Sequence, residues 1–264
     1  SGIIGLSPAR ENKMLHFARG YAKIDRLEQK TGKKVFTFSL LSGWSCPFAK
    51  ECKSKVIRVG GKSTVQDGPH TQYRCFSASQ EALFLNVYDI RRSNYESLKS
   101  MPDSQYMAAH IISSLPYAAK PAIFRLHVGG DFFNQAYFDA WLEVARQFRQ
   151  HIFYAYTKSL MYWVKRKQQL RSLPNVVLTA SYGGYQDDLI KKHNLRYVKV
   201  IYSQYEARKL HLPIDHDDTL AANPDNRKQS FDLLIHGIQP KGSKASVALE
   251  KLKKKGWKGY GKTK

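Results

Sequence analysis

The chain has 264 residues, of which 42% are hydrophobic and 12% aromatic. This is enough apolar sequence to bury one sizeable core, and it excludes a disordered or fibrous chain. No stretch approaches the roughly 18 uncharged apolar residues that a membrane helix needs, and no secretory signal pattern is present, so we expect a cytoplasmic protein without membrane contact. With 43 Lys and Arg against 21 Asp and Glu, the formal net charge of +22 favours binding to nucleic acid.

Predicted helices and strands alternate along the chain. Residues 7–30 favour an N-terminal helix, residues 34–41 form a first buried strand, and residues 53–74, which contain paired glycines, form a loop or small hairpin. Two helices follow, near 79–97 and 103–115. Five more strands are then predicted, at 122–128, 152–156, 176–180, 197–202 and 231–235. The helices between them lie near 135–148, 160–170, 187–193 and 205–210.

Six apolar strands separated by helices predict an α/β fold with a parallel sheet buried on both faces. Right-handed crossovers curl such a sheet into a six-stranded parallel partial (β/α) barrel, here with a cysteine-loop insertion after strand 1. An open doubly wound sheet is the competing architecture. We expect residues 1–240 to form this single domain with its N-terminal helix, and residues 241–264, with nine lysines, to form a basic C-terminal tail. Docking of Leu249, Leu252 and Trp257 on the barrel is the alternative for that tail.

Three cysteines, Cys46, Cys52 and Cys75, begin directly after the first predicted strand. They are too few to staple a secreted fold, and thiolates are soft ligands that favour iron–sulfur clusters or zinc. Three thiolates predict a [4Fe-4S] cluster with one open iron. Zinc bound by the same cysteines and His70 is one alternative, and three ordinary buried cysteines are another.

Polar residues end the next strands, where parallel α/β folds place their chemistry. Thr157, Lys158 and Ser181 offer hydroxyls and a positive charge to carboxylate or phosphate oxygens, although the hydroxyls equally suit helix caps. His127 is interpreted as a core histidine. A further acidic and histidine-rich group lies at residues 211–230 and is interpreted as a solvated turn in preference to a metal site. Its members are His211, Asp215, His216, Asp217 and Asp218.

The order of strand, cysteine loop, second strand and then Gly129-Gly130-Asp131 resembles the radical S-adenosylmethionine superfamily. That superfamily carries three cluster cysteines after strand one of a partial barrel and a Gly-Gly-Glu type motif after strand two. The run 124–159, with 42–47 and 236–242, is also similar to the phage gene product 88 family over most of the chain. Two departures from the radical-enzyme pattern are the 22 residues between Cys52 and Cys75, and Asp131 in place of glutamate.

This resemblance implies a cluster on the three cysteines, with Gly129 and Gly130 against the methionyl part of S-adenosylmethionine. Asp131, Thr157 and Ser181 complete the implied cofactor-binding set, and Lys158 and Asp131 are the candidate catalytic residues. A tight strand-to-helix connection with Asp131 as a cap is the alternative for the glycine motif.

The implied activity is reductive cleavage of S-adenosylmethionine, after which an adenosyl radical abstracts hydrogen from a substrate on or near nucleic acid. The alternative is a non-catalytic nucleic-acid-binding phage protein with a structural cluster or zinc, which has a host protein as a partner and acts in the host cytoplasm.

Overall fold

A mostly parallel sheet organises the chain, which a computed structural model describes over residues 14–259. Seven strands form this sheet: β1 (Phe17–Ala18), β2 (Val35–Phe38), β5 (Ile123–Leu126), β6 (Ile152–Thr157), β7 (Val176–Ser181), β8 (Tyr197–Ile201) and β9 (Phe231–Leu234). Strands β3 (Ser54–Val59) and β4 (Lys62–Asp67) form a separate antiparallel hairpin. The predicted hairpin excursion is therefore present, and its turn contains Gly60 and Gly61, both with positive φ.

The spatial order of the sheet is β1-β2-β5-β6-β7-β8-β9. Strand β1 is antiparallel to β2, and each later neighbour pair is parallel. The six parallel strands are those that the sequence predicts, because each is a short apolar run rich in β-branched and aromatic residues. They follow chain order without the reversal that marks a doubly wound sheet, so that alternative is not observed.

The described helices are α1 (Ala22–Thr31), α2 (Phe76–Leu83), α3 (Leu85–Lys99), α4 (Ser104–Ser114), α5 (Gln135–Gln147), α6 (Leu160–Val164), α7 (Lys167–Leu170), α8 (Asp188–Lys192), α9 (Gln204–Leu210), α10 (Thr219–Ala222) and α11 (Lys244–Lys254). The helix predicted at 79–97 is divided between α2 and α3 because Phe84 adopts an extended conformation. Within residues 14–259, no helix is long and apolar enough to cross a membrane.

The N-terminal helix is shorter than predicted. It begins at Ala22, since Gly20 has a φ of 84° and Phe17 pairs with Phe38 in the sheet. The part of the prediction before Met14 lies outside the described residues.

The segment predicted as a tail packs on the sheet. Leu249 and Leu252 of α11 are buried with Ile201 and Leu234, and the indole N–H of Trp257 donates to the Ile235 carbonyl at 3.1 Å. The described residues 241–259 therefore dock on the sheet, which is the alternative that the sequence analysis gave for this tail. Residues 260–264 lie outside them.

Two hydrophobic cores cover the two faces of the sheet. On one face, α4 and α5 pack on strand residues such as Phe124 and Phe153. On the other, α1 and α10 cover Val35, Tyr154 and Phe231. Successive side chains of each strand point to opposite faces of the sheet and therefore enter different cores. Both faces of the sheet are apolar near the amino ends of the strands.

A buried charge network lies on the second face, centred on Asp218. Its carboxylate accepts from the Lys23 ammonium at 2.7 Å, from Arg125 at 3.0 Å, and from the hydroxyls of Tyr154 and Tyr156, each at 2.7 Å. Burial alone would raise its pKa, but Arg125 and Lys23 hold the pKa of Asp218 well below the usual range of an aspartate.

The solvated-turn interpretation of 211–230 is therefore wrong for its aspartates, since Asp215, Asp217 and Asp218 are all buried. Asp215 accepts from the backbone N–H groups of Leu220 and Ala221, so it fixes the start of α10. These carboxylates bind cations and backbone donors inside the protein. A polar sequence segment looks the same whether its side chains are bound in this way or hydrated at the surface.

Replacement of the central carboxylate should unfold the protein readily. We expect Asp218→Asn to lower the free energy of unfolding by about 3 kcal/mol, because it leaves two buried cations without their counter-charge. Asp225→Asn, at an exposed position in the same segment, is the control and should change stability by about 0.5 kcal/mol or less. Urea denaturation of metal-free protein measures both. Equal stability of the two variants would contradict the role assigned to Asp218.

Candidate functional site

A cavity of about 820 Å³ opens at the carboxyl ends of the parallel strands, within the usual size range of ligand sites. All nine residues predicted as site residues line it: Cys46, Cys52, Cys75, Gly129, Gly130, Asp131, Thr157, Lys158 and Ser181. They come from the loops or ends of four different strands. The fold therefore brings together in one place side chains that are up to 135 positions apart, counted from Cys46 to Ser181.

The three cysteines are free thiols, each partly buried. Burial, and then the nearby charges of Asp131, Cys75 and Cys52, raise the pKa of Cys46 well above that of an ordinary thiol. Burial and Cys52 raise the pKa of Cys75 to about 11. The neighbouring cysteines thus disfavour ionisation of Cys46 and Cys75, and a bound cation would favour their thiolate forms.

The zinc alternative lacks an assembled ligand set. His70 is exposed, and its ring contacts Tyr185 with centroids 6.5 Å apart. Throughout residues 14–259, no group of three or more His, Cys, Asp or Glu side chains converges as a site for a metal ion. This finding covers the three cysteines as well as His211, His216 and their neighbouring aspartates.

The loop that carries Cys46 and Cys52 is fixed by buried polar contacts. The Lys53 ammonium donates to the carbonyls of Gly43 and Cys46, both at 2.6 Å. Glu81, which pairs with Arg91 at 2.7 Å, accepts from both the backbone N–H and the hydroxyl of Ser42. These contacts of Lys53 and Glu81 hold the loop conformation.

Asp131 joins the ends of two strands. One carboxylate oxygen accepts from the Phe132 N–H and the Thr157 hydroxyl, both at 2.7 Å, and the other accepts from the Lys158 N–H at 2.8 Å. Burial raises its pKa, against the lowering effect of these hydrogen bonds. Asp131 does not cap α5, because Asn134 does so. The Asp131 carboxylate and the Thr157 hydroxyl mainly hold the wall of the cavity in position.

Gly129 and Gly130 are required by the protein itself. A Cβ on Gly129 would lie 2.7 Å from the Ser42 hydroxyl, and one on Gly130, whose φ is 91°, would lie 2.6 Å from the Ser45 hydroxyl and 2.8 Å from Leu40 Cβ. A methyl group at either position would therefore meet the cysteine loop. The glycines line the cavity, but their Cβ directions point into the cysteine loop.

Lys158 lies near Cys46 and Cys52 in the cavity lining. Its ammonium donates to the Ser181 hydroxyl at 2.8 Å. Burial would lower its pKa, but Cys52, Tyr73 and Asp131 raise the pKa of Lys158 above its usual range. Lys158 therefore stays charged beside the thiols.

Tyr73 and His236 are among the residues of the cavity wall that the sequence did not predict. Burial, with Cys52 and Cys75 nearby, raises the pKa of Tyr73, and burial lowers the pKa of His236 to about 4. The signal for Tyr73 was its position two residues before Cys75 in an otherwise polar loop. His127, as predicted, packs as a core residue, with Nε2 2.7 Å from the Tyr137 hydroxyl.

Comparison with known proteins gives a family match over nearly the whole described chain. Residues 15–255 match the family model described as "Gene product 88". The "Gene 88 protein" of Mycobacterium phage D29 is 28% identical over 122 residues, which span 44% of this chain and 43% of that relative. The aligned region therefore covers less than half the length of that protein. No solved structure matches the chain significantly.

The close packing around Gly130 predicts that an alanine there lowers stability more than an alanine at Gly61, which serves as the control. Gly61 also has a positive φ, 78°, but nothing lies within 4 Å of its Cβ position. Gly61→Ala should cost about 1 kcal/mol from backbone strain alone. Gly130→Ala should cost about 3 kcal/mol, because overpacking against Ser45 and Leu40 adds to that strain. Denaturant titration of both variants tests this, and equal costs would show that Gly130 is required only for its φ.

Proposed function

The chain belongs to the Gene product 88 family, and we propose that it is an iron–sulfur protein of the radical S-adenosylmethionine type. The proposed cluster is [4Fe-4S], bound by Cys46, Cys52 and Cys75, with S-adenosylmethionine beside it. One observation carries the proposal: the three thiols, the Gly-Gly-Asp motif and Lys158 line a single cavity at the carboxyl ends of parallel strands. The finer architecture that accompanies it is a six-stranded partial (β/α) barrel.

The donor set fits such a cluster. The chain has three cysteines in all, and all three thiols are free and line the same cavity. Cysteine thiolates are the usual ligands of four-iron clusters, and this chemistry of the donors, together with their shared cavity, supports the proposal. Three thiolates leave one iron open for a cofactor.

When bound, such a cluster supplies one electron for reductive cleavage of S-adenosylmethionine. The residues of this chain position the groups and exclude water. Lys158, fixed by Ser181, offsets thiolate charge and is available to a carboxylate or phosphate. Asp131 and Thr157 bind each other and the backbone of Lys158, so we assign them as positioning residues.

The net charge of +22 supports a nucleic acid as substrate or partner. The same charge supports the second candidate, a nucleic-acid-binding protein in which the cluster is only structural. The long interval between Cys52 and Cys75 favours that candidate, since it departs from the compact cysteine motif of the radical enzymes.

Loss of any one cysteine should abolish stable cluster binding. We expect Cys46→Ala, Cys52→Ala and Cys75→Ala each to lose most of the iron, sulfide and brown colour after anaerobic reconstitution, because two thiolates are too few to hold the cluster. The control is Ser113→Ala, at an exposed position on α4, which should retain the full iron content. Full iron in Cys75→Ala, or a colourless wild-type protein with stoichiometric zinc, would overturn the proposed ligand set.

A further inference from the structure

The rim of the cavity combines apolar and cationic side chains. Phe76 is 43% exposed, Ile90 41% and Ile238 57%, although each lines the cavity. Arg19, Lys253 and Lys258 are the exposed cations of the same lining. A ligand that enters here meets a flat apolar wall and positive charge together.

The lining is strongly biased towards positive charge. Among described residues it has seven cations and one acid, Asp131, whose carboxylate is already bound. Four of the cations have carboxylate partners: Arg19 with Glu28, Lys23 and Arg125 with Asp218, and Arg91 with Glu81. Lys158 faces the thiols. Lys253 and Lys258 have no ion pair within residues 14–259, so their charge is available to an anion.

Further exposed lysines lie next to the cavity, on and just after α11. Lys251, Lys254 and Lys255 of α11 and the residue after it are exposed, and they lie outside the cavity lining. With about 3.6 residues per turn, Lys251 and Lys254 lie on other faces of α11 than Lys253, so positive charge surrounds this end of the helix next to the opening. Duplex nucleic acid presents phosphates too, but its bases stay stacked and do not reach an apolar wall.

We infer that the cavity admits one unpaired nucleotide of a single-stranded nucleic acid. Its base lies against Phe76 and Ile238, and its phosphates lie at Lys253 and Lys258. This inference rests on the proposed function, whose substrate class it names. Stacking on an aromatic ring and pairing of phosphates with lysine are the two interactions by which proteins bind unpaired strands.

Binding to metal-free protein tests the inference separately from the cluster. The ligand is a fluorescein-labelled single strand of about 12 nucleotides, compared with the same sequence as a duplex by anisotropy. Lys253→Glu/Lys258→Glu should weaken single-strand binding about tenfold more than the control Lys251→Glu/Lys255→Glu, which makes the same charge change outside the cavity. Equal losses would show that only general surface charge acts, and would overturn the inference.

The aromatic contact has its own control on the same helix. Phe76→Ala should weaken single-strand binding about tenfold and leave duplex binding unchanged. Leu83→Ala, at a position on α2 that is 62% exposed and outside the lining, should change neither. If Phe76→Ala weakens both ligands alike, or neither, the base is not held at Phe76.

A measurement on the wild-type protein avoids any effect of substitution on folding. The single strand should slow alkylation of Cys52 and Cys75 by N-ethylmaleimide several-fold, read by peptide mass spectrometry, because the bound nucleotide blocks the cavity. The duplex should not slow it. Unchanged alkylation with bound strand would overturn the inference even if the protein holds a cluster, whereas protection in a protein that binds no iron would overturn only the proposed function.

Discussion

The carboxylate of Asp218 neutralises two cations, Lys23 and Arg125, that the sheet and α1 bury beneath the cavity. Loss of this carboxylate would remove a counter-charge from both cations, which is strongly destabilising. Both cations and Tyr156 line the cavity, and all three bind Asp218. The inner wall of the site therefore has a fixed shape and charge because one aspartate from a distant loop reaches across to α1, β5 and β6.

Above this wall, the cysteine loop is held by the protein in advance of any ligand. Lys53 binds two of its carbonyls, Glu81 binds Ser42, and the glycine motif packs against Ser42 and Ser45. Such preorganisation lowers the entropy that binding must overcome. It also explains why Gly129 and Gly130 are glycines: the cysteine loop and the motif lie too close together for a side chain between them.

The six parallel strands and most helices were predictable because apolar periodicity is a local property of the sequence. That the candidate residues at strand ends line one cavity was predictable, because the carboxyl ends of parallel strands meet at one edge of the sheet. The pairing of Asp218 with Arg125 was not, since it joins residues 93 positions apart. The start of α1 and the packing of α11 also depend on tertiary contacts, namely the β1–β2 pairing and the burial of Leu249 and Leu252. The helix and strand propensities of neighbouring residues do not predict such tertiary contacts.

The central claim is that Cys46, Cys52 and Cys75 bind a redox-active cluster beside an S-adenosylmethionine site. The most direct test is to reconstitute the protein anaerobically with iron and sulfide, reduce it with dithionite, add S-adenosylmethionine, and quantify 5′-deoxyadenosine by chromatography. We expect 5′-deoxyadenosine to form with wild-type protein and to be absent when any of the three cysteines is replaced by alanine. A reconstituted, reduced protein with full iron content that forms none would contradict it.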